Sequence, residues 1–257
     1  MAICGIALGG NIGNTSEIFQ EAMLLLEERS VSIRAVSALL HTPAMGAVAG
    51  DDFVNAAAVV ETRLPPTELL ATLHDVEAAF KRARDIRWGP RSLDLDLLYH
   101  GQTVICTDQI VVPHPALWYR RFVLQPLTEI APEFHHPILK EDVSELYQQL
   151  QQRPLRITIS GAGLSDIVVS DLERSLQRRF GVDAIHLVPK DSKQNSDANR
   201  FTAVIVNSGT KRIGGLQPAH EADRTIRFYC QPDEFKKQLL NSLTDLCAAA
   251  IGYSSSC

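Results

Sequence analysis

The feature that most limits the possible folds is the strict alternation of leucine and aspartate in Leu93–Leu97. On a β-strand, residues two apart point to the same side, so Asp94 and Asp96 share one face and the leucines share the other. The apolar face can pack into a core. The chain is therefore expected to contain a sheet with one packed face and one face that carries paired carboxylates.

Cations crowd the short segment before this strand: Lys81, Arg82, Arg84, Arg87 and Arg91. They stand out because residues 1–153 hold 12 Lys and Arg against 19 Asp and Glu. Neighbouring carboxylates repel each other unless a cation lies between them, and Mg²⁺ prefers carboxylates combined with substrate phosphates. Arginine forks match phosphate oxygens in pairs. The pattern predicts a site for Mg²⁺ and a nucleotide polyphosphate at Asp94 and Asp96.

Hydrophobic patterning around this segment predicts an α+β fold of the ferredoxin-like type. One helix is predicted from Asn14 to Glu28, and a second after Pro65, with apolar residues at helical spacing. The resulting β-α-β-β-α-β order gives an antiparallel sheet with its helices on one face. The strands are predicted at Ile3–Leu8, Val31–Leu40, Phe53–Glu61 and Leu93–Tyr99.

A second, small α/β domain is predicted at residues 154–257, after a first domain at residues 1–153. The polar segment that ends at Pro154 reads as the linker between them. In the second domain a glycine-rich turn at residues 161–163 follows a predicted strand and precedes a helix predicted at Asp171–Phe180. The turn lacks the lysine and hydroxyl residue of a phosphate-binding loop, so we expect an interaction or self-association role.

Composition narrows the functional classes. The sequence has 257 residues, 45% of them hydrophobic, and it shows no apolar run long enough to cross a membrane and no secretory signal pattern. The five cysteines are scattered without a pair spaced for zinc or a disulfide framework. A cytoplasmic protein that binds neither membrane nor nucleic acid is the expectation.

Five motifs follow one another along the first 150 or so residues: Leu8–Asn14, Phe53–Ala57, Arg87–Asp96, Val112–Pro115 and Arg121–Pro132. Together they resemble one enzyme family, 6-hydroxymethyl-7,8-dihydropterin pyrophosphokinase of folate biosynthesis. The resemblance covers about residues 2–150 and implies transfer of diphosphate from ATP to the pterin alcohol, which gives AMP and the pterin diphosphate.

The same resemblance implies roles for individual residues. The catalytic group is Arg82, Arg91, Asp94 and Asp96, with two Mg²⁺ ions held by the two aspartates. The nucleotide-binding group is His74, Glu77, Arg84, Arg91, His114 and Arg120. The pterin-binding group is Thr42, Pro43, Met45, Phe53, Asn55, Trp88 and Phe122.

Two other interpretations remain at this point. A nucleic-acid-binding module of ferredoxin-like fold should display aromatic residues in a recognisable pattern on its sheet, and the sequence has no such pattern. A catalytically weakened regulatory homologue that binds ATP and pterin is the second alternative. It is kept open by departures from the family pattern, such as Lys81 in place of a glycine.

Overall fold

The computed structural model describes residues 1–43, 52–80, 92–160, 164–181, 183–189, 200–207, 217–218, 225–230 and 235–251. The chain forms two compact units, Met1–Tyr147 and Gln148–Cys257. The sequence predicts a domain boundary after residue 153, whereas the units divide within the helix Val143–Gln151. The polar linker read from the sequence therefore follows the division between the units.

In the first unit, helices separate single strands and groups of strands. Pro65 and Pro66 open its second helix, since the fixed φ and missing N–H of proline suit the first helical turn. Three apolar residues of this helix at helical spacing are buried, as expected. The elements are β1 (Ala2–Gly10), α1 (Thr15–Glu28), β2 (Val31–Val36), β3 (Leu40–Thr42), β4 (Phe53–Thr62), α2 (Pro66–Ala79), β5 (Asp94–His100), β6 (Ile105–Cys106), β7 (Val111–Val112), α3 (Arg121–Ile130) and α4 (Val143–Gln151).

The main sheet of this unit is antiparallel, in the strand order β2, β4, β1, β5, and β3 also pairs with β4. The mixed fold with an antiparallel sheet that the sequence predicts is confirmed. The single strand predicted at Val31–Leu40 is instead two strands. The chain leaves the ladder at Ser37, whose N–H donates to Ala57 O at 2.9 Å and whose Oγ accepts from Ala57 N at 3.0 Å.

The two faces of this sheet carry different residues. We call the core face the one with Cys4, Ile6 and Leu8 of β1, which packs with buried residues of α1 and α2 into one hydrophobic cluster. We call the site face the opposite one. It carries the intervening residues of β1 and the polar residues of the neighbouring strands: Gly5, Ala7, Gly9, Asn55, Asp94 and Asp96.

A register shift in the pairing of β1 with β5 changes which residues of β5 point to each face of the sheet. Leu97 opposes Ile6 but Tyr99 opposes Gly5, so one extra residue of β5 interrupts the alternation. Tyr99 therefore lies over Gly5 on the site face, where a Cβ on that glycine would come within 2.2 Å of its ring. The Tyr99 ring stacks on Phe134 with centroids 3.5 Å apart. This stack closes one end of the site face.

The second unit contains a largely parallel sheet in the order β11, β12, β10, β8, β9, with β11 antiparallel to β12. Among the described helices of both units, none combines the length and the apolar character of a membrane span. The elements are β8 (Leu155–Ser160), α5 (Asp166–Phe180), β9 (Ile185–Pro189), β10 (Arg200–Asn207), β11 (Gln217–Pro218), β12 (Thr225–Cys230) and α6 (Phe235–Ile251).

Candidate active site

The site face brings two groups of predicted residues to opposite sides of one glycine. Gly9 of β1 aligns with Asn55 on β4 and with Asp94 on β5. A Cβ on Gly9 would lie 3.6 Å from Asn55 Oδ1 and 3.8 Å from Asp94 Cβ. The predicted amide-recognition residue and the predicted metal-binding residue thus flank a position that has no side chain.

The next aligned row on the site face is also built from small residues. Ala7 lies between Ala57 of β4 and Asp96 of β5. The central strand therefore presents only hydrogen atoms and a methyl group beneath the carboxylates.

Asp96 is approached by two nitrogen-bearing side chains. Arg120 Nη1 donates a hydrogen bond to Asp96 Oδ2 at 3.2 Å, and His114 Nε2 lies 4.0 Å from the same oxygen. The backbone explains these positions, since His114 N donates to Leu98 O on β5 at 2.7 Å. Arg120 immediately precedes α3. A carboxylate, a guanidinium and an imidazole predicted from separate parts of the sequence therefore meet.

The protonation of His114 follows from its surroundings. Its Nδ1 accepts a hydrogen bond from Ala116 N at 3.1 Å, which assigns the ring proton to Nε2. Burial lowers the pKa of His114 to about 4, although the Asp96 carboxylate acts in the opposite direction. At neutral pH the imidazole is uncharged and turns an N–H donor toward Asp96.

The predicted pterin residues of the described part assemble beside Gly9. Phe53, Asn55 and Thr42 lie on the same face of the β3–β4 ladder, because Thr42 aligns with Phe53 and Leu40 with Asn55. Asn55 is buried, and its Nδ2 donates to Thr42 Oγ1 at 2.8 Å. This bond orients the amide.

The remaining described pterin residues, Phe122 and Pro43, are half-buried. Phe122 also connects the two predicted groups, because Arg120 Cζ lies 5.6 Å from its ring centroid. The arginine that contacts Asp96 therefore also contacts a residue predicted to bind the pterin.

Helix α2 holds β5 in place through contacts that the sequence does not reveal. Glu77 is 1% exposed, and its Oε1 accepts a hydrogen bond from Leu95 N at 2.8 Å. Ser92 Oγ donates to Phe80 O at 2.6 Å. Leu95 lies between the two aspartates, so Glu77 supports the segment that carries both.

For Glu77 a direct contact with nucleotide stays a prediction. His74, on the same helix, is half-buried, and its role is likewise untested. Five further predicted site residues lie outside the described residues, namely Met45, Arg82, Arg84, Trp88 and Arg91.

The donor set suits a metal that arrives with a ligand. Among the residues that the structure describes, no three or more His, Cys, Asp and Glu side chains are grouped to hold an ion by themselves. Asp94 and Asp96 share the site face. Mg²⁺ is commonly bound by one or two carboxylates and completed by waters and substrate phosphates, so the pair fits this ion.

Comparison with known proteins gives the family. The family model of 7,8-dihydro-6-hydroxymethylpterin-pyrophosphokinase (HPPK) matches residues 5–132. The 2-amino-4-hydroxy-6-hydroxymethyldihydropteridine pyrophosphokinase of Bacillus subtilis (strain 168) is 35% identical over 170 residues, which cover 66% of this chain and 98% of that protein. The chain belongs to this family.

Two further pyrophosphokinases support the assignment. The Pseudomonas aeruginosa protein is 38% identical over 133 residues, which cover 51% of this chain and 82% of that protein. The Synechocystis protein is 36% identical over 146 residues, which cover 56% of this chain and 74% of that protein. The resemblance read from the sequence is confirmed. The family-model match ends at residue 132, before the second unit begins.

Proposed function

We propose that this pyrophosphokinase transfers the diphosphate of ATP to 6-hydroxymethyl-7,8-dihydropterin, with Mg²⁺ held at Asp94 and Asp96, as a step of folate biosynthesis. The observation that carries the proposal is the alignment of Asn55, Gly9 and Asp94 across three adjacent strands. It sets a group suited to recognising a heterocycle beside a group suited to binding a metal. A bisubstrate reaction needs both in one cleft.

In the proposed metal site, Asp94 and Asp96 would each provide carboxylate oxygens for two Mg²⁺ ions. When bound, Mg²⁺ neutralises phosphate charge and fixes the geometry of the polyphosphate. The role of the protein is to hold the carboxylates at a fixed spacing. The hydrogen bond from Leu95 N to Glu77 supports that spacing by tying β5 to α2.

At the nucleotide end, Arg120 and His114 supply donors beside Asp96. The guanidinium brings positive charge, whereas the neutral imidazole brings only an N–H donor. Both suit phosphate oxygens. We assign the other nucleotide contacts to His74 and Glu77 on α2 and to three arginines of the basic segment, Arg82, Arg84 and Arg91.

At the pterin end, Asn55 provides both a donor and an acceptor for the amide edge of the ring system. Phe53 and Phe122 would stack on its two faces, since flat heterocycles favour aromatic neighbours. Thr42 orients the Asn55 amide through its hydroxyl. We assign Pro43, Met45 and Trp88 to the walls of the same cavity.

In the reaction, the oxygen of the pterin hydroxymethyl group attacks the β-phosphorus of ATP. A new O–P bond forms, and the bond from the β-phosphorus to the oxygen that bridges to the α-phosphorus breaks. AMP leaves with that oxygen, and the hydroxyl proton passes to solvent. Such a transfer depends chiefly on positioning and charge neutralisation, which are the tasks assigned to these side chains.

The test is AMP formation from ATP, Mg²⁺ and the pterin alcohol, followed by chromatography. We expect pterin-dependent AMP that disappears without Mg²⁺ and in Asp96→Ala. Binding of both ligands without turnover would replace the proposal with the regulatory alternative. A cytoplasmic location and self-association through the second unit stay predictions.

A further inference from the structure

One carboxylate oxygen of the proposed metal site already has a cationic partner. Asp96 Oδ2 accepts a hydrogen bond from Arg120 Nη1 at 3.2 Å, and His114 Nε2 lies 4.0 Å away. The side chains of Arg120 and Asp96 are 19% and 35% exposed, so the contact is only partly screened by water. A metal ion that binds Asp96 through this oxygen must first displace the guanidinium.

The Arg120 side chain can change partners without moving its helix. Its carbonyl oxygen accepts hydrogen bonds from Val123 N at 3.0 Å and Leu124 N at 2.9 Å, and its own N–H donates to Ala116 O at 3.2 Å. The backbone is therefore fixed at the start of α3. The long side chain keeps its rotatable bonds.

We propose that Arg120 is the residue that makes this site select a metal–nucleotide complex over the free metal ion. It holds Asp96 Oδ2 in the protein without ligand and transfers to a phosphate oxygen when the nucleotide arrives. This inference rests on the proposed function. It adds an exchange of partners that the nucleotide-binding assignment of Arg120 does not contain.

Charge explains the selectivity. A free divalent cation that takes Asp96 leaves the guanidinium beside it without that carboxylate, and the two positive charges repel each other. ATP that arrives with one divalent cation carries net negative charge and offers the guanidinium new acceptors of suitable geometry. Exchange is therefore favourable with the complex and unfavourable with the bare ion.

The first experiment titrates Mn²⁺, an EPR-visible substitute for Mg²⁺, into the 257-residue chain with and without ATP. The variants are Arg120→Gln and the control Arg121→Gln, which makes the same charge change one residue away. Arg121 is exposed and bonds Gln125 Oε1 through its Nε at 3.2 Å. Thermal melting checks that each variant is folded.

We expect Arg120→Gln to tighten free Mn²⁺ binding by about tenfold and to weaken binding of the Mn²⁺–ATP complex by about tenfold. Arg121→Gln should change either constant by less than about twofold. The opposite signs identify an exchange. Free Mn²⁺ affinity that is unchanged in Arg120→Gln, or raised equally in both variants, would overturn the proposal.

A second measurement leaves Arg120 in place. ATP binding without metal is compared in Asp96→Asn and Asp94→Asn, which remove the same charge from positions two residues apart on β5. Release of Arg120 should make the gain in ATP affinity about tenfold larger in Asp96→Asn. Equal gains would refute the exchange. Failure of the proposed function is a different result, namely absence of AMP formation by the unaltered protein.

Discussion

The two faces of the antiparallel sheet in the first unit differ most clearly along its central strand. Toward the core face β1 presents Cys4, Ile6 and Leu8, none more than 1% exposed. Toward the site face it presents Gly5, Ala7 and Gly9. A single strand thus places large buried residues on one face and small residues on the other. Stability and ligand binding should therefore be changed separately, according to whether a substituted side chain points to the core face or to the site face.

The largest expected effect is that of Asp96→Asn on the site face, which should lower activity strongly and stability very little. Asp96→Asn removes the charge that the proposed chemistry needs, so AMP formation should fall by on the order of 10³-fold. The contact with Arg120 is partly exposed, so the free energy of unfolding should change by less than about 1 kcal/mol. Turnover assays and urea unfolding measure the two quantities. The control is Asp108→Asn, at an exposed position.

If Asp96→Asn retains more than about a tenth of the activity, the metal-binding role proposed for Asp96 is wrong.

The adjacent residue should behave in the opposite way. Leu97 is 4% exposed on the core face, and Leu97→Ala removes buried methyl groups and leaves a cavity. The free energy of unfolding should fall by about 2–5 kcal/mol, while the KM for ATP of the folded fraction stays close to its original value. Leu24→Ala is the matched control, because Leu24 is 61% exposed. A cost equal to that of Leu24→Ala would contradict the assignment of Leu97 to the core.

Low pH should decrease the stability of the first unit through a buried histidine, His136. The segment that contributes Phe134 to the stack on Tyr99 continues to His136, which is 4% exposed and whose Nδ1 accepts from Ile138 N and Leu139 N. Burial lowers the pKa of His136 from 6.5 to about 4. The unfolded chain therefore binds the proton more readily than the folded protein.

The contribution of neutral His136 to the free energy of unfolding should accordingly be fully present above pH 6.5. It should fall by roughly 2–3 kcal/mol as the pH drops toward 4. His114, whose pKa is lowered in the same direction, adds to this loss. Urea unfolding as a function of pH tests the prediction. His136→Asn should flatten the slope, and His41→Asn, at an exposed position, should leave it unchanged. Equal slopes in all three proteins would remove His136 from the explanation.

Substitution of Glu77 gives the smallest expected effect, and it should change both stability and turnover. Glu77→Ala leaves the buried N–H of Leu95 without this acceptor, which should cost about 1–3 kcal/mol of stability. Because Leu95 lies between the aspartates, turnover should fall as well. Glu77→Gln keeps an acceptor oxygen, so it should recover most of both losses. Equal losses in both variants would indicate that the charge of Glu77, rather than its acceptor, is what matters.

The alternation in Leu93–Leu97 predicts which residues of β5 face the core because a period of two is a local property of the chain. If the alternation is continued to Tyr99, it gives the wrong face, since the register shift opposite Gly5 depends on pairing between strands distant in sequence. The bond from Leu95 N to Glu77 crosses 18 positions and escapes local pattern reading for the same reason. The sequence predicts the site residues by type, whereas the tertiary pairing determines their partners.

The start of α5 illustrates a local signal that was available. The hydrophobic pattern predicts a helix from Asp171, but α5 begins at Asp166. Ser165 caps it by accepting a hydrogen bond from Val168 N at 3.4 Å. Serine is a preferred residue at this position, so Ser165 itself predicts the earlier start of the helix.

The row Asn55, Gly9 and Asp94 sets a fixed distance across three adjacent strands. Adjacent strands are separated by a backbone spacing of about 4.8 Å, so two steps place the ends of this row about 10 Å apart. Side-chain substitutions that leave the sheet intact do not alter that interval. Under the proposed function, a ligand held by Asn55 reacts near Asp94 only if its length matches this interval. The main chain would then set the length of the substrate, and the side chains that line the row would set its chemical identity.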